Sequence, residues 1–264
     1  MLQRLLPIFC VASVVSAFAV AETADEVPAT ENAFACHDAE DHQISLQSSL
    51  AAAINIRVER SWETGIQGEI GHKAYTETGY GSGAIIDNTR GLVITNAHVV
   101  DGQHDTLTVK TYDMHSFDDP THNYSAHIIG VDYASDVAVL QLNQFHSKTL
   151  PCFTLNKESP AVGDMTYSIG SPLGYEFTMK VGKIISPPED LNPSELYSNA
   201  KTSVGDSGSI TVNSFGEFSG LLRGLLGKSG SISGDHAVII PPNVVVESVN
   251  NILLSKPNAQ LTMN

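Results

Sequence analysis

The run Gly205-Asp206-Ser207-Gly208-Ser209 sets a serine closely between two glycines. Glycine lets the backbone turn tightly and lets a substrate come near, which is what a reactive hydroxyl needs. Such a turn can aim the N–H groups of Gly205, Asp206 and Ser207 toward one point, with Gly205 and Ser207 the pair suited to an oxyanion. The same five residues also make an ordinary turn. The serine gains meaning only with a base and an orienting carboxylate. Two residues qualify. His98 leaves the apolar stretch Ile94-Thr95-Asn96-Ala97-His98-Val99-Val100, so its ring is held by apolar neighbours on both sides. Asp136 directly precedes Val137-Ala138-Val139-Leu140-Gln141-Leu142, where a carboxylate is partly shielded from water. A serine, a histidine and an aspartate together can run nucleophilic acyl transfer.

Positioning such a set takes a rigid scaffold, and the chain is long enough to build one. It has 264 residues, of which 42% are hydrophobic, enough for a sizeable core. Short alternating or apolar stretches recur: Ile54 to Glu59, Gly81 to Ile86, Gly91 to Thr95, Asp105 to Tyr112, His127 to Asp132 and Val137 to Leu142. A second series holds Met165 to Gly170, Phe177 to Ser186, Ser209 to Asn213, Phe218 to Leu226 and Ala237 to Ile240. Gly65 to Thr78 is polar with scattered glycine and predicts a loop or short hairpin. Many short strands with Gly, Asn, Asp and Pro between them predict an all-β protein. Two stacked barrels and one large sandwich both satisfy this pattern. Helix is expected at Leu46 to Ala53 and at about 243–255. In the latter, Asn243 would cap, and Val245, Val249, Ile252 and Leu253 fall on one face.

The N-terminus predicts export. Arg4 precedes an apolar run from Leu5 to Val20, and Ala19-Val20-Ala21 offers a cleavage site before Glu22. Residues 1–21 are therefore expected to be a signal peptide, the alternative being an uncleaved anchor or a buried helix. Residues 22–43 are expected to be a flexible acidic lead-in. Cleavage would remove Cys10 and leave Cys36 and Cys152, which pair as a disulfide in an oxidising compartment or stay as two thiols. The net charge of −15 argues against nucleic acid or an anionic membrane as partner. No metal pattern or cofactor motif stands out; His37, Asp38 and His42 read as scattered surface residues.

The order of these motifs resembles the HtrA/Deg branch of the chymotrypsin-like serine proteases. The likeness rests on Gly81-Ser82-Gly83-Ala84-Ile85-Ile86-Asp87, on Leu92 to Val100 around His98, and on Ser135 to Leu142 around Asp136. It continues through Val162-Gly163-Asp164, Ile169-Gly170-Ser171-Pro172-Leu173-Gly174 and Gly182-Lys183-Ile184-Ile185-Ser186. The nucleophile run, Gly216-Glu217-Phe218-Ser219-Gly220 and Val238-Ile239-Ile240-Pro241-Pro242-Asn243 complete it. It covers about Ile44 to Leu254, the protease domain only, with no PDZ module expected.

The resemblance implies a double six-stranded β-barrel with a C-terminal helix, the first barrel over about 52–145 and the second over about 150–242. It implies a polypeptide substrate, with Ser207 as nucleophile, His98 as base and Asp136 as orienter. Lys201, Thr202, Leu221, Leu222, Arg223 and Gly224 would line the pocket for the side chain before the scissile bond. The absence of an acid there argues against a preference for Arg or Lys. A cation would suit an acidic side chain, while charges turned to solvent would leave a small apolar pocket. Many members of this branch carry Asn-Ser-Gly-Gly at the nucleophile, where this chain has Asp206-Ser207-Gly208-Ser209. The leading expectation is an exported, periplasmic or secreted, serine endopeptidase. A catalytically silent peptide-binding protein on the same fold is the alternative. An esterase of the strand–elbow–helix type is disfavoured, because a strand, not a helix, is expected after Ser207.

Overall fold

A computed structural model describes residues 33–36, 46–64, 73–112, 123–145, 150–172, 177–187, 191–226 and 233–255. The stretch expected to be a signal peptide, residues 1–21, Cys10 within it, and the His37, Asp38 and His42 group lie outside them. A short helix, α1 (Leu46–Ala52), leads into β1 (Ala53–Thr64), β2 (Lys73–Asp87) and β3 (Leu92–Thr95). A 3-10 turn at Ala97–Val99 follows, then β4 (Thr106–Thr111), β5 (Tyr124–Asp132) and β6 (Val137–Leu142). These six strands close a barrel in the order β1-β2-β3-β6-β5-β4. The chain continues with β7 (Met165–Gly170), β8 (Thr178–Ile185), β9 (Leu196–Ser198), β10 (Thr202–Ser203), β11 (Ile210–Val212), β12 (Phe218–Leu226), β13 (Ser233–Gly234) and β14 (His236–Ile240). A second closed barrel runs β11-β12-β14-β9-β8-β7, and β10 pairs with β13 as a separate small ribbon. Every pairing is antiparallel. Of the two architectures open to the strand pattern, the molecule adopts the chymotrypsin-like double barrel.

Three apolar clusters explain the strand sequences. Alternate residues of β1 (Ile54, Ile56, Val58) fill the first barrel with Val93, Val109 and Leu140. Ile184, Leu222, Ala237 and Ile239 fill the second. Between the barrels lies the largest cluster, where Ile86, Ile94 and Val139 meet Ile169, Ile210, Phe218 and Leu221. Strands β3 and β6 are thus buried on both faces, one toward their barrel and one toward this seam. That is why they read as continuous apolar runs and not as alternation. The last helix, α2 (Pro242–Leu254), seals the seam with Val245, Val246, Val249 and Ile252. Its first turn departs from the expected cap. Pro241 occupies the N-cap and Pro242 the first helical position, so Asn243 is already inside the helix.

The polar stretch expected as a loop or short hairpin contributes residues 73–78 to β2, whose ladder with β1 runs out to Thr64 and Lys73. This outer end is exposed and carries a stacked Trp62–Tyr75 pair, ring centroids 5.5 Å apart. Cys36 and Cys152 form a disulfide with an S–S distance of 2.03 Å. It ties the segment around buried Phe34 to the connection between the barrels.

Candidate active site

His98 stands on the 3-10 turn that ends β3, and Asp136 on the turn between β5 and β6. Both turns are held together through Asp136. Its carbonyl accepts Ala97 N–H (3.2 Å) and Asn96 Nδ2 (3.0 Å). Its carboxylate accepts the His98 backbone N–H (3.0 Å, Oδ1) and faces His98 Nδ1 at 2.9 Å from Oδ2 and 3.1 Å from Oδ1. Asp136 adopts a left-handed backbone conformation (φ 57°), which costs strain in a non-glycine residue and is accepted because this network fixes it. The aspartate side chain is only 10% exposed, the histidine ring 50%. Burial raises the proton affinity of Asp136, but the side-chain and backbone hydrogen bonds from His98 and the charges of His98 and Arg223 outweigh it. The carboxyl is held below its ordinary range. An ionised Asp136 accepts a hydrogen bond from Nδ1–H, so the proton stays on Nδ1 and Nε2 carries the lone pair.

Ser207 sits on the loop between β10 and β11, and both barrels brace that loop. Ser82 of β2 donates its backbone N–H to Ser207 O (2.8 Å) and its hydroxyl to Gly205 O (2.8 Å). The same hydroxyl accepts Ser171 N–H (2.9 Å). From the other side, Gly208 N–H donates to Leu222 O (2.9 Å) and the Ser209 hydroxyl to Asp206 O (2.6 Å). Gly208 has no alternative residue here. Its φ is +86°, and a Cβ would lie 2.1 Å from Ser82 O. The turn is closed by Asp206 N–H to Ser203 O (3.1 Å) and by Ser203 N–H to Asp206 Oδ2 (2.8 Å). Of the three expected oxyanion donors, the Asp206 N–H is therefore already spent inside the turn. Gly205 and Ser207 N–H have no acceptor among the described residues. His98, Ser207 and Gly205 line one cleft of about 200 Å³ with Val99, Val204 and Tyr80.

Asp206 itself is 1% exposed, with Lys180 Nζ 3.5 Å from Oδ2 and, among the described residues, no hydrogen bond to Oδ1. Burial pushes its carboxyl up, against the opposing pull of Ser203 N–H and Lys180. The Ser207 hydroxyl donates to Arg223 O (3.2 Å), and no hydrogen bond joins it to His98 among the described residues.

The residues expected to line a specificity pocket do not share one environment. Leu221 and Leu222 are fully buried, one in the seam and one inside the second barrel, so their side chains hold the scaffold. Thr202 is also buried, its hydroxyl directed to His236 O (3.4 Å), while Lys201 is exposed. Arg223 reaches Asp136 Oδ2 through Nε (3.3 Å) and Glu195 through Nη1. A Cβ on Gly224 would meet open space. Ser82, Lys180 and Glu195 escape a reading for site residues. The glycines flanking Ser82 hint at close backbone approach. Glu195, in a polar turn, carries no local signal.

A family model described as trypsin-like peptidase domain matches residues 81–221. Among curated relatives, "Probable periplasmic serine protease do/HhoA-like" of Haemophilus influenzae is 34% identical over 181 residues, 66% of this chain and 37% of its own length. "Periplasmic serine endoprotease DegP" of Escherichia coli K12 is 33% identical over 171 residues, 62% of this chain and 34% of its own length. The chain thus spans about a third of the length of the curated relatives it matches. The solved structure "HtrA-type protease AlgW with decapeptide" aligns with a TM-score of 0.63 at 23% identity, over 80% of this chain and 67% of that one. With a match that spans His98, Asp136 and Ser207, the chain belongs to the trypsin-like peptidase family, and its double barrel is similar to that of an HtrA-type protease.

Proposed function

We propose that this protein is an exported serine endopeptidase that hydrolyses peptide bonds through Ser207, His98 and Asp136. The observation that carries the reading is the His98 ring anchored through Nδ1 on a buried, ionised Asp136, beside Ser207 in one cleft. In this mechanism the Ser207 hydroxyl turns from Arg223 O toward His98 Nε2. Its oxygen attacks the peptide carbonyl carbon, and its proton passes to Nε2. The carbonyl oxygen gains the negative charge, which Gly205 and Ser207 N–H stabilise by about 3 kcal/mol per donor. Collapse breaks the C–N bond, and the amine leaves with the proton from His98. Water then cleaves the acyl-enzyme by the same route in reverse. Asp136 stays ionised throughout and stabilises the imidazolium.

The relatives' periplasmic names and the Arg4-to-Ala21 pattern support export. The bound peptide named for the structural neighbour supports a polypeptide substrate. Lys201, Thr202, Arg223 and Gly224 would border the site for the residue before the scissile bond. With the Arg223 charge taken up by two carboxylates, a small uncharged residue fits there better than an acidic one. No helix among the described residues is long and apolar enough to cross a membrane.

The test is a peptide-library cleavage profile of the protein beside Ser207→Ala, with covalent labelling by an organophosphonate. Cleavage and labelling that vanish in Ser207→Ala support the reading. Cleavage that survives the substitution overturns it. A wild-type protein that binds peptides without cleaving or labelling is a silent binding protein instead.

A further inference from the structure

We infer that Arg223 and Glu195 act as a positioning pair of opposed charges that sets the pH range in which His98 works as a base. This inference deepens the peptidase reading and rests on it. Arg223 lies at an irregularity in β12. Leu222 pairs with Ile239 and Gly224 with Val238, so Arg223 is the extra residue of a β-bulge. A bulge re-aims a side chain that regular pleating would send elsewhere. Here the guanidinium turns back across the gap between barrels. Its Nε approaches Asp136 Oδ2 at 3.3 Å, the oxygen that also holds His98 Nδ1 at 2.9 Å. Its Nη1 pairs with Glu195, whose Oε2 in turn accepts the Tyr197 hydroxyl (3.2 Å).

The consequence is electrostatic. In a triad without such a neighbour, the carboxylate's charge is available to the imidazolium that forms during proton transfer. Here a permanent cation shares that carboxylate and opposes the imidazolium. Glu195 draws on the same cation and moderates the opposition. Of the other charged groups on these elements, Asp132 on the turn beside Asp136 is engaged elsewhere. It accepts Ala134 and Ser135 N–H and the Ser248 hydroxyl. The charges facing His98 through Asp136 are thus one guanidinium and, behind it, one carboxylate; Arg60 and Glu77 border the same cleft as His98, and Arg60 donates to Asp101 O. The Arg223 side chain is 35% exposed and that of Glu195 15%, so solvent screens the effect but does not remove it. The planar fork matters as well. Arginine can serve two carboxylates at once, which an ammonium cannot do with the same geometry.

The two halves of the pair predict opposite displacements, which a purely structural role would not produce. The measurement is the acid limb of kcat/KM against pH on an unfolded protein substrate, together with NMR titration of the His98 ring, identified by its loss in His98→Gln. Arg223→Gln shifts both midpoints to higher pH by about half a unit or more. Glu195→Gln shifts them lower, and the double variant lies between Arg223→Gln and the parent. Arg223→Lys, which keeps the charge, keeps the midpoints within a few tenths of the parent's while lowering kcat. Midpoints that stay fixed in both single variants, or move the same way, overturn the inference. The ring titration separates the two readings: a protein without turnover defeats the peptidase proposal, and opposite ring shifts in that same protein still support the charge pair.

Discussion

Replacing Ser82 by alanine removes one hydroxyl and disturbs two places at once. In the folded protein that hydroxyl is fully buried, donates to Gly205 O at 2.8 Å and accepts Ser171 N–H at 2.9 Å. Ser82→Ala leaves a buried carbonyl and a buried N–H without their partner. Each such orphan costs about 1–3 kcal/mol, so the pair predicts roughly 3 kcal/mol after local relaxation. For a domain of this size that lowers the Tm by about 6–12 °C. The chemical effect should exceed what stability alone implies. Gly205 O belongs to the peptide that links the two free donors, Gly205 and Ser207 N–H. Without the Ser82 hydroxyl that peptide is held only through Asp206 N–H to Ser203 O (3.1 Å), so it tilts more freely, and losing one oxyanion donor lowers kcat by about 100-fold or more. The assay pairs thermal unfolding at pH 7 with kcat/KM measured well below the variant's Tm. A large Tm loss with unchanged kcat would refute the idea that Ser82 holds the donor turn. An unchanged Tm would refute the buried hydrogen-bond argument itself.

Gly208→Ala should abolish activity and destabilise by more than about 3 kcal/mol, read by denaturant unfolding, because its Cβ would strike Ser82 O and its φ is +86°. Reduction of the Cys36–Cys152 disulfide, which closes a loop of sequence separation 116, should lower stability by about 4 kcal/mol, measured as the shift in urea midpoint with and without reductant. Asp206→Asn should raise the Tm by a few degrees at pH 7 and by less at pH 4. Its raised carboxyl favours the fold at acid pH, and that contribution is lost as pH rises through the folded value. The opposite sign applies to Asp87, Asp132 and Asp136. Their lowered carboxyls stabilise above the ordinary carboxylate range near 4, and the parent protein should lose this stability as the pH falls below it, seen as a falling Tm.

Most strands are legible because their burial leaves a local signature. Ile54, Ile56 and Val58 alternate, and Leu92 to Ile94 are apolar on both faces. Strands β9, β10 and β13 are not, since two or three residues carry no period. The outer part of the β1–β2 ladder is also silent, because its residues face water on both sides and its order comes from pairing alone. His98, Asp136 and Ser207 stand out through local motifs. The destination of Arg223 does not, because it depends on a bulge and on a partner 87 residues away. The choice between barrels and sandwich likewise depends on closure by β1–β4 and β11–β7, pairings distant in sequence.

The seam between the barrels also orders events in time. The first barrel emerges from synthesis carrying the imidazole, while the hydroxyl arrives with the second. Helix α2 comes later still, and its Val245, Val249 and Ile252 complete the layer that joins them. Ser248 then fastens to Asp132, a few residues from the imidazole's carboxylate partner. A half-made chain therefore has the imidazole without the hydroxyl. The layer that joins the barrel bearing the imidazole to the barrel bearing the hydroxyl is complete only once the last helix has docked.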